Sequence, residues 1–313
     1  MAVPDRAPAE AVAPPAAADP GADAGRGIAL LEPVPPVAMV IAAAMSIQFG
    51  AALGATLFDD VGPAGASLLR LLFAAVILVA LWRPRVRAYD RGALRLALGF
   101  GLALGLMNLS FYEALDRIPL GVAVTIEFIG PVTVAVIFSR RALDLVWILL
   151  AVAGIVLLAD PFGAGGVDRL GLAFVLLAAL CWGIYIVLAQ RASRVFSGST
   201  GLAIGAAVAA LVPLGPGLVE GGSGLLAPEA LAIGLAVALG SSVIPYSLEM
   251  ESLRRIPANV FGVLMSLEPA VAAMAGFVVL GQRLGAREIV AIALVVAASV
   301  GVTRTKAPPP VEA

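Results

Sequence analysis

Histidine is absent from this chain of 313 residues, and cysteine occurs only once, at Cys181. Without histidine there is no histidine metal ligand, no Ser-His-Asp triad and no HExxH motif. One cysteine excludes a disulfide or a cysteine-based metal site within the chain. The GxxxxGK[ST] phosphate loop is missing as well. We therefore expect no enzyme, no metal, no cofactor and no nucleic-acid partner, and no ATP-driven motor on this chain.

Charged residues are also scarce. Asp, Glu, Lys and Arg make up 13% of the chain, whereas hydrophobic residues make up 61%. A soluble globule needs more polar surface than this, so the composition predicts an integral membrane protein. Residues 1–36 differ, because they are rich in Ala, Pro, Asp and Gly and have no periodic apolar face. They predict a disordered tail rather than a signal peptide.

Apolar runs long enough to cross a bilayer, about 20 residues each, occur ten times with short connections. They predict an all-α membrane protein with ten transmembrane helices and no soluble domain. The predicted spans are 37–57, 66–82, 93–113, 119–138, 144–159, 170–189, 201–219, 229–248, 258–279 and 287–303. Five spans form the segment 37–159, five form 170–303, and residues 304–313 are a second tail.

Basic residues outside the spans gather on one side. When alternate loops are assigned to opposite sides, one side receives 15 of the 20 Lys and Arg residues and the other receives four, while Arg70 lies inside the second span. The positive-inside rule then predicts that both termini are cytoplasmic.

An internal repeat relates the two halves of the chain. A shift of 138 residues superimposes eight identical residues of 113–135 on 251–273: Glu113, Leu115, Arg117, Ile118, Pro119, Val122, Pro131 and Ala135 fall on Glu251, Leu253, Arg255, Ile256, Pro257, Val260, Pro269 and Ala273. Because five spans per half is an odd number, the two copies enter the membrane in opposite orientations. This predicts two inverted five-helix repeats with a substrate site near the midplane, as in secondary transporters.

Two glutamates lie in the middle of predicted spans, Glu127 followed by Pro131 and Glu268 followed by Pro269. A carboxylate at mid-membrane costs about 2.5 to 3.5 kcal/mol on insertion scales and therefore indicates a functional site. We expect both glutamates to bind the substrate or carry a proton. The alternative is a protonated acid that only holds the fold together. Each proline frees a carbonyl one turn earlier, which either kinks the helix or offers a backbone ligand.

Polar and aromatic residues inside the spans are further candidates. The amides of Gln48 and Asn108 either join helices, the usual role, or line the cavity. Trp182 and Tyr185 lie deep in a span and share one helix face, so we expect them in the cavity. Tyr112 and Tyr246, at span ends, fit an interfacial aromatic belt.

Charged residues near span ends have two interpretations each. Arg70 either extends to the headgroups, which is favoured, or forms part of an outer vestibule that admits a carboxylate and so contributes to gating. The group Glu249, Glu251, Arg254 and Arg255 follows the eighth predicted span. We expect solvated ion pairs there, with a cytoplasmic gate as the alternative.

Five segments form strings that resemble a known family. They are SIQFGAALGATLF (46–58), MNLSFYEALDRIPLGVAVTIEFIGPVTVA (107–135), FSRRALDLVWILLAVAG (138–154), CWGIYIVLAQRA (181–192) and IPYSLEMESLRRIPANVFGVLMSLEPA (244–270). With the ten predicted spans, they resemble the drug/metabolite transporter superfamily of the EamA type, in particular its threonine and homoserine exporters of bacterial inner membranes. One departure is Gly281-Gln282, where superfamily members often carry Gly-Glu.

The resemblance implies a secondary transporter that exports small neutral amino acids, such as threonine or homoserine, by an ion gradient, with protons as the expected ion. Alternatives are the same fold exporting another small metabolite, an aromatic amino acid or a drug. A membrane-embedded enzyme with a glutamate acid and base, or a sensor or scaffold that transports nothing, are different classes. A homo-oligomer is compatible with each of them.

Overall fold

The computed structural model describes residues 33–137, 143–159, 167–196, 200–256, 261 and 264–305. Helices form nearly all of this part, which confirms the all-α class. In chain order they are α1 (Pro36–Ala55), α2 (Phe58–Trp82), α3 (Arg91–Leu115), α4 (Leu120–Glu127), α5 (Ile129–Ile137), α6 (Leu143–Ala159), α7 (Arg169–Val195), α8 (Thr200–Leu211), α9 (Leu214–Gly221), α10 (Pro228–Ala238), α11 (Ile244–Arg255), α12 (Glu268–Leu280) and α13 (Ala286–Thr305).

Two short 3₁₀ turns and one π-helical turn connect some of these helices. The 3₁₀ turns are Val86–Ala88 and Gly222–Leu226. The π turn, Leu239–Val243, joins α10 to α11 without interruption. The eighth predicted span therefore continues to Arg255 instead of ending at residue 248, and the charged residues that follow 248 belong to the same helix.

Several helices of the described part have the length and apolar composition of membrane spans. Four helices, α1, α2, α3 and α7, are long and apolar enough to cross a membrane, and α8 with Leu214–Leu226 adds a fifth span bent by 49°. Three further apolar helices, Leu120–Val134, Pro228–Val243 and Glu268–Leu280, are shorter. The count of ten spans therefore stays a prediction. The predicted tails at 1–36 and 304–313 lie almost wholly outside the described residues.

Large apolar side chains also cover the outer surface of the helices. Val76 of α2, Leu98 of α3 and Phe277 of α12 are all about half exposed or more. In a soluble protein such a surface would mark a binding patch or an aggregation hazard. In a chain with several membrane-length helices, hydrocarbon contacts this surface instead.

α2 begins at Phe58, before the predicted second span, and it contains a kink at Gly62 after which the helix resumes. Gly62 has φ +70°, a conformation that favours glycine, and Pro63 follows it. The carboxylate of Glu220, from α9, accepts the N–H of Ala64 at 3.0 Å and caps the restarted helix. Arg70 consequently lies inside the helix and not near its end.

The fourth and ninth predicted spans are both interrupted. α4 and α5 are separated at Phe128, and a turn at Ser266 and Leu267 precedes α12. Phe128 and Ser266 are related by the same shift of 138 residues that aligns Pro131 with Pro269. The sequence repeat is therefore accompanied by a break at an equivalent position in each half.

Helices from the two halves pack against each other. α3 lies along α7 and α8, α1 lies along α11 and α12, α2 contacts α8, α9 and α10, α4 contacts α12, and α6 contacts α13. α3 and α8 approach closely at Gly101, where a Cβ atom would lie 2.5 Å from the carbonyl oxygen of Gly205. Small residues allow this backbone approach in membrane helices. The largest buried cluster includes Tyr112, Leu120, Ile126 and Val175.

Candidate functional site

A cavity of about 370 Å³ lies between helices of both halves. This volume is in the range of small-molecule pockets. Its wall is mostly apolar and aromatic, with a small number of polar side chains. The polar and charged residues of the wall are Gln48, Arg70, Asn108, Glu127, Tyr185, Ser241, Glu249, Glu268 and Ser299. The remaining wall includes Phe111, Phe128, Trp182 and Phe261.

The residues predicted to bind substrate converge here. Glu127, Glu268, Gln48, Asn108, Trp182 and Tyr185 all line the cavity, as do Arg70 and Pro131 of the predicted coupling group. Pro269 is buried next to Glu268 but is not part of the wall. The structure thus brings these side chains together, while their roles in binding and coupling stay predictions.

The two mid-membrane glutamates occupy opposite ends of half-helices. Glu127 is the last residue of α4, and Glu268 is the first residue of α12. A helix N-terminus favours a negative charge and a C-terminus disfavours it. The α12 backbone therefore supports a carboxylate at Glu268. At Glu127 the compensation comes from Arg70, whose positive charge acts on that carboxylate.

The prolines leave two backbone carbonyls of the cavity wall without their usual helical donor. Pro131 has no N–H for the carbonyl of Glu127, and Pro269 has none for that of Met265. Both Glu127 and Met265 line the cavity. Because residues 127 and 265 are related by the repeat shift, each half supplies one such carbonyl at an equivalent place.

Glu268 is held by an amide from the first half. Nε2 of Gln48 lies 3.5 Å from Oε2 of Glu268, and the two residues are 3% and 4% exposed. Oε1 of Gln48 is buried and has no hydrogen-bond partner in the described part of the chain. Asn108 is anchored differently, since its Nδ2 donates to the carbonyl of Leu104 at 2.8 Å. Gln48 thus keeps an unused acceptor beside the cavity.

Arg70 is buried and faces the cavity, so the favoured interpretation that it extends to the headgroups is wrong. The residue is 6% exposed, and its Nη2 donates to the carbonyl of Ser241 at 3.1 Å. Its guanidinium lies 5.7 Å from the ring centroid of Tyr112. Nε is buried and has no hydrogen-bond partner among the described residues. The π turn supplies the carbonyl that draws this side chain inward.

Tyr112 is fully buried, which corrects its assignment to an interfacial belt. Its ring packs edge to face with Phe58, with centroids 5.6 Å apart, and supports the guanidinium of Arg70. The position near a span end suggested the membrane interface, but Phe58 at the start of α2 packs against this ring. The side chain of Tyr246, predicted for the same belt, lies outside the described part.

Comparison with known proteins agrees with the architecture. Residues 169–304 match the EamA-like transporter family. Over 273 residues the chain is 42% identical to the threonine/homoserine exporter RhtA of Salmonella typhimurium, and to that of Escherichia coli, covering 86% of this chain and 92% of each relative. The chain belongs to the EamA-like transporter family. A solved crystal structure shares the fold of this EamA-family chain, with a TM-score of 0.55 and 18% identity over 86% of this chain and 97% of that one.

Three polar residues of the EamA-family cavity were not predicted from the sequence: Ser241, Glu249 and Ser299. Glu249 was assigned to solvated ion pairs beyond the eighth span, but α11 carries it into the wall. The shift of 138 residues places Glu249 on Phe111, which also lines the cavity, so the two halves supply wall residues from equivalent positions. Of the predicted ion-pair group, Arg255 donates to the carbonyl of Val34 at 3.5 Å.

Gln282 has a structural position in this EamA-family fold. Its Oε1 accepts the N–H of Leu120 at 2.9 Å and so caps the start of α4. It does not line the cavity. A glutamate carboxylate would accept the same N–H, so the Gly-Gln departure from the common Gly-Glu pattern preserves this contact.

Proposed function

We propose that the chain exports small neutral amino acids of the threonine and homoserine type across the bacterial inner membrane in exchange for protons. The observation that carries this proposal is one cavity that contains a guanidinium, Arg70, and carboxylates that include Glu268. An α-amino acid is a zwitterion and needs a partner of each sign once water is removed. The printed name of the relatives, threonine/homoserine exporter, supports the substrate class.

The polar groups can be assigned to parts of the substrate. Arg70 has an unused Nε and binds the α-carboxylate, because a guanidinium donates to carboxylates in a fixed planar geometry. Glu268 binds the ammonium. The buried Oε1 of Gln48 has no other partner in the described part and accepts the hydroxyl of threonine or homoserine. Trp182 and Tyr185 close the wall against larger side chains.

Alternating access between two inverted repeats, 37–159 and 170–303, moves the substrate. The packing supports this proposal, since the pair α3 with α7 has its counterpart in α11 with α1, and the pair α5 with α7 in α12 with α1. Three further contacts are each their own counterpart when the two halves are exchanged. They are α2 with α8 and α9, α4 with α12, and α6 with α13. The breaks near Pro131 and Pro269 are the points where each half bends.

Protons drive the cycle, and both termini face the cytoplasm. Acidic groups inside a membrane protein commonly mark proton pathways, and three of them line this cavity. The distribution of basic residues supports cytoplasmic termini.

Reconstituted liposomes test the proposal directly. We expect uphill movement of labelled threonine and homoserine when a pH gradient is imposed, and none after an uncoupler is added. Phenylalanine and a cationic dye serve as competitors for the alternative substrates. Glu229→Gln, an exposed change at the start of α10, is the control for expression. Full uphill transport in the presence of the uncoupler would refute proton coupling, and transport of the dye alone would refute the substrate class.

A further inference from the structure

Glu249 is a third carboxylate in the cavity, and it has no role in the binding of the amino acid described so far. It projects from α11 into the wall, and its Oε1 is buried without a hydrogen-bond partner in the described part. Glu268, on α12, lines the same cavity, and the charges of Glu249 and Glu127 both act on it. A buried carboxylate oxygen without a donor is costly, so a ligand of Glu249 is expected.

The charges of the cavity do not balance. Of the described residues that line it, Arg70 alone carries a positive charge, against the carboxylates of Glu127, Glu249 and Glu268. Arg70 acts on Glu127. The carboxylates of Glu249 and Glu268 then remain in one cavity without a cation, and carboxylates that share a site cannot both stay ionised.

The other elements around Glu249 do not supply the missing cation. α11 packs against α1 and the π turn, and neither Pro36–Ala55 nor Leu239–Val243 contains an ionisable residue. On α11 itself, Arg255 donates to the carbonyl of Val34, and the side chains of Glu251 and Arg254 lie outside the described part. Among described residues, the charged group that faces Glu249 is therefore Glu268, of the same sign.

Metal ions are not favoured as the missing cation. Within the described part, no group of three His, Cys, Asp or Glu residues is placed to hold one. A proton needs only one carboxylate oxygen and fits an apolar wall better than a hydrated ion.

We propose that Glu249 and Glu268 form one exchange site, which holds protons when the cavity is empty and releases protons to water when a substrate ammonium binds. The inference rests on the proposed function and adds the residue that makes protons and amino acid compete. The substrate keeps all its covalent bonds, and its ammonium stays protonated. Each released proton leaves a carboxylic O–H and turns that group into a carboxylate facing the ammonium.

Competition at this pair explains exchange in opposite directions. A protonated pair has no charge for the ammonium, and a pair occupied by the ammonium has no free carboxylate for a proton. Each time the cavity changes the side of the membrane to which it opens, it therefore carries either protons or the amino acid. Glu249→Gln removes one of the two titrating groups and leaves Glu268 to bind the ammonium, so binding and proton release separate in this variant.

Proton release on binding is the decisive measurement. Threonine is added to purified protein in weakly buffered detergent solution with a pH indicator, and bound label is counted in parallel. We expect wild-type protein and Glu229→Gln to release protons. Glu249→Gln, which lacks one of the two carboxylates, should bind threonine more weakly and release about one proton fewer per molecule bound. In liposomes we expect uphill export by the same variant to fall much further than its threonine–threonine exchange. Unchanged proton release and uphill export in a folded Glu249→Gln protein would overturn the inference.

A second measurement uses the wild-type protein, so it does not require the folding of any variant. Dicyclohexylcarbodiimide reacts with protonated carboxyls in apolar surroundings, and mass spectrometry locates the product. We expect modification at Glu249 or Glu268 of the wild-type protein and protection by threonine. Threoninol, whose ammonium lacks the support of a carboxylate bound to Arg70, should protect only at higher concentration, and acetate should not protect. Absence of modification at both residues would also overturn the inference. Wild-type protein that neither binds nor exports threonine would instead refute the proposed function, so the two failures are distinct.

Discussion

The side-chain amide of Gln48 lies 3.5 Å from the carboxylate of Glu268 and connects α1 to the first residue of α12. Both residues are almost fully buried. The contact joins the two halves of the chain at the cavity wall, so a movement of one half changes the surroundings of a carboxylate in the other. Glu268 is therefore a point at which ligand binding and helix movement can be linked.

Neutralising either mid-membrane glutamate should stop uphill export. Glu127→Gln and Glu268→Gln keep the shape and hydrogen-bonding capacity of the side chain but remove its ionisation. We expect normal amounts of each variant in the membrane and loss of most uphill threonine export from preloaded vesicles. Export at the wild-type rate in both variants would show that these acids only hold the fold.

Arg70→Lys should weaken recognition of the substrate carboxylate. Arginine holds the carbonyl of Ser241 through Nη2 and has Nε left for a carboxylate, whereas a single ammonium cannot serve both positions. We expect an affinity for threonine lower by roughly tenfold or more, since hydrogen bonds to charged groups contribute about 1.5–3 kcal/mol. Threoninol, which lacks the carboxylate, is the comparison ligand. If Arg70 binds this group, the preference for threonine over threoninol falls in the variant, and an unchanged preference contradicts the assignment.

Gly101 and Gly99 form a matched pair on α3 for testing helix contact. At Gly101 a Cβ atom would lie 2.5 Å from the Gly205 carbonyl oxygen, while at Gly99 the nearest atom, a methyl carbon of Leu188, would be 3.6 Å away. Gly101→Ala should destabilise the protein by about 1–3 kcal/mol through overpacking. Gly99→Ala should be neutral or slightly stabilising. Thermal unfolding in detergent measures both, and equal melting temperatures would contradict the close packing of α3 on α8.

Changes at Gln282 should separate a cap from a coupling residue. Gln282→Ala leaves the N–H of Leu120 without its acceptor and should cost about 1 kcal/mol of stability. Gln282→Glu keeps an acceptor and should melt close to wild type with normal export. Arg283→Ala, an exposed neighbour, is the control. A strong effect of Gln282→Glu on export, without a change in melting, would assign this position to coupling instead.

Single cysteines test the predicted orientation of the loops. Ser223→Cys should react with a membrane-impermeant thiol reagent in intact cells, and Ala88→Cys should react only after the cells are opened. Both positions are exposed. Ser223 is preferable to its neighbour Gly222, whose φ of +47° disfavours a side chain. The native Cys181 is buried and gives little background. The reverse pattern of labelling would invert the topology.

The sequence predicted the all-α class because apolar length is a local property, while the count of ten spans stays a prediction. It was less successful where a charged residue lies inside a helix, since Asp59 and Asp60 at the start of α2 and Glu249 in α11 were placed outside the spans by hydropathy alone. The mid-membrane glutamates and their prolines were visible in the sequence as costly exceptions within apolar runs. Family membership was likewise predictable from the long strings with polar residues inside them, and the comparisons confirm it.

The position of Arg70 was not predictable in the same way. Its inward direction depends on the carbonyl of Ser241, which is 171 residues away in the chain, and on the break at Gly62 that extends α2. No local pattern contains that information. The prediction for Tyr112 was wrong for a related reason, since the burial of its ring depends on Phe58 and Arg70, which lie on another helix.

The π turn at Leu239–Val243 fits one residue more into its turn than an α-helix does. Each additional residue advances the direction of all later side chains by about 100°. The angular position of Glu249 is therefore set by an insertion in the backbone and not by the pattern of apolar residues around it. A relative with a single-residue deletion in this turn would keep the same hydropathy profile, and its carboxylate would point about a quarter of a circle away from the cavity.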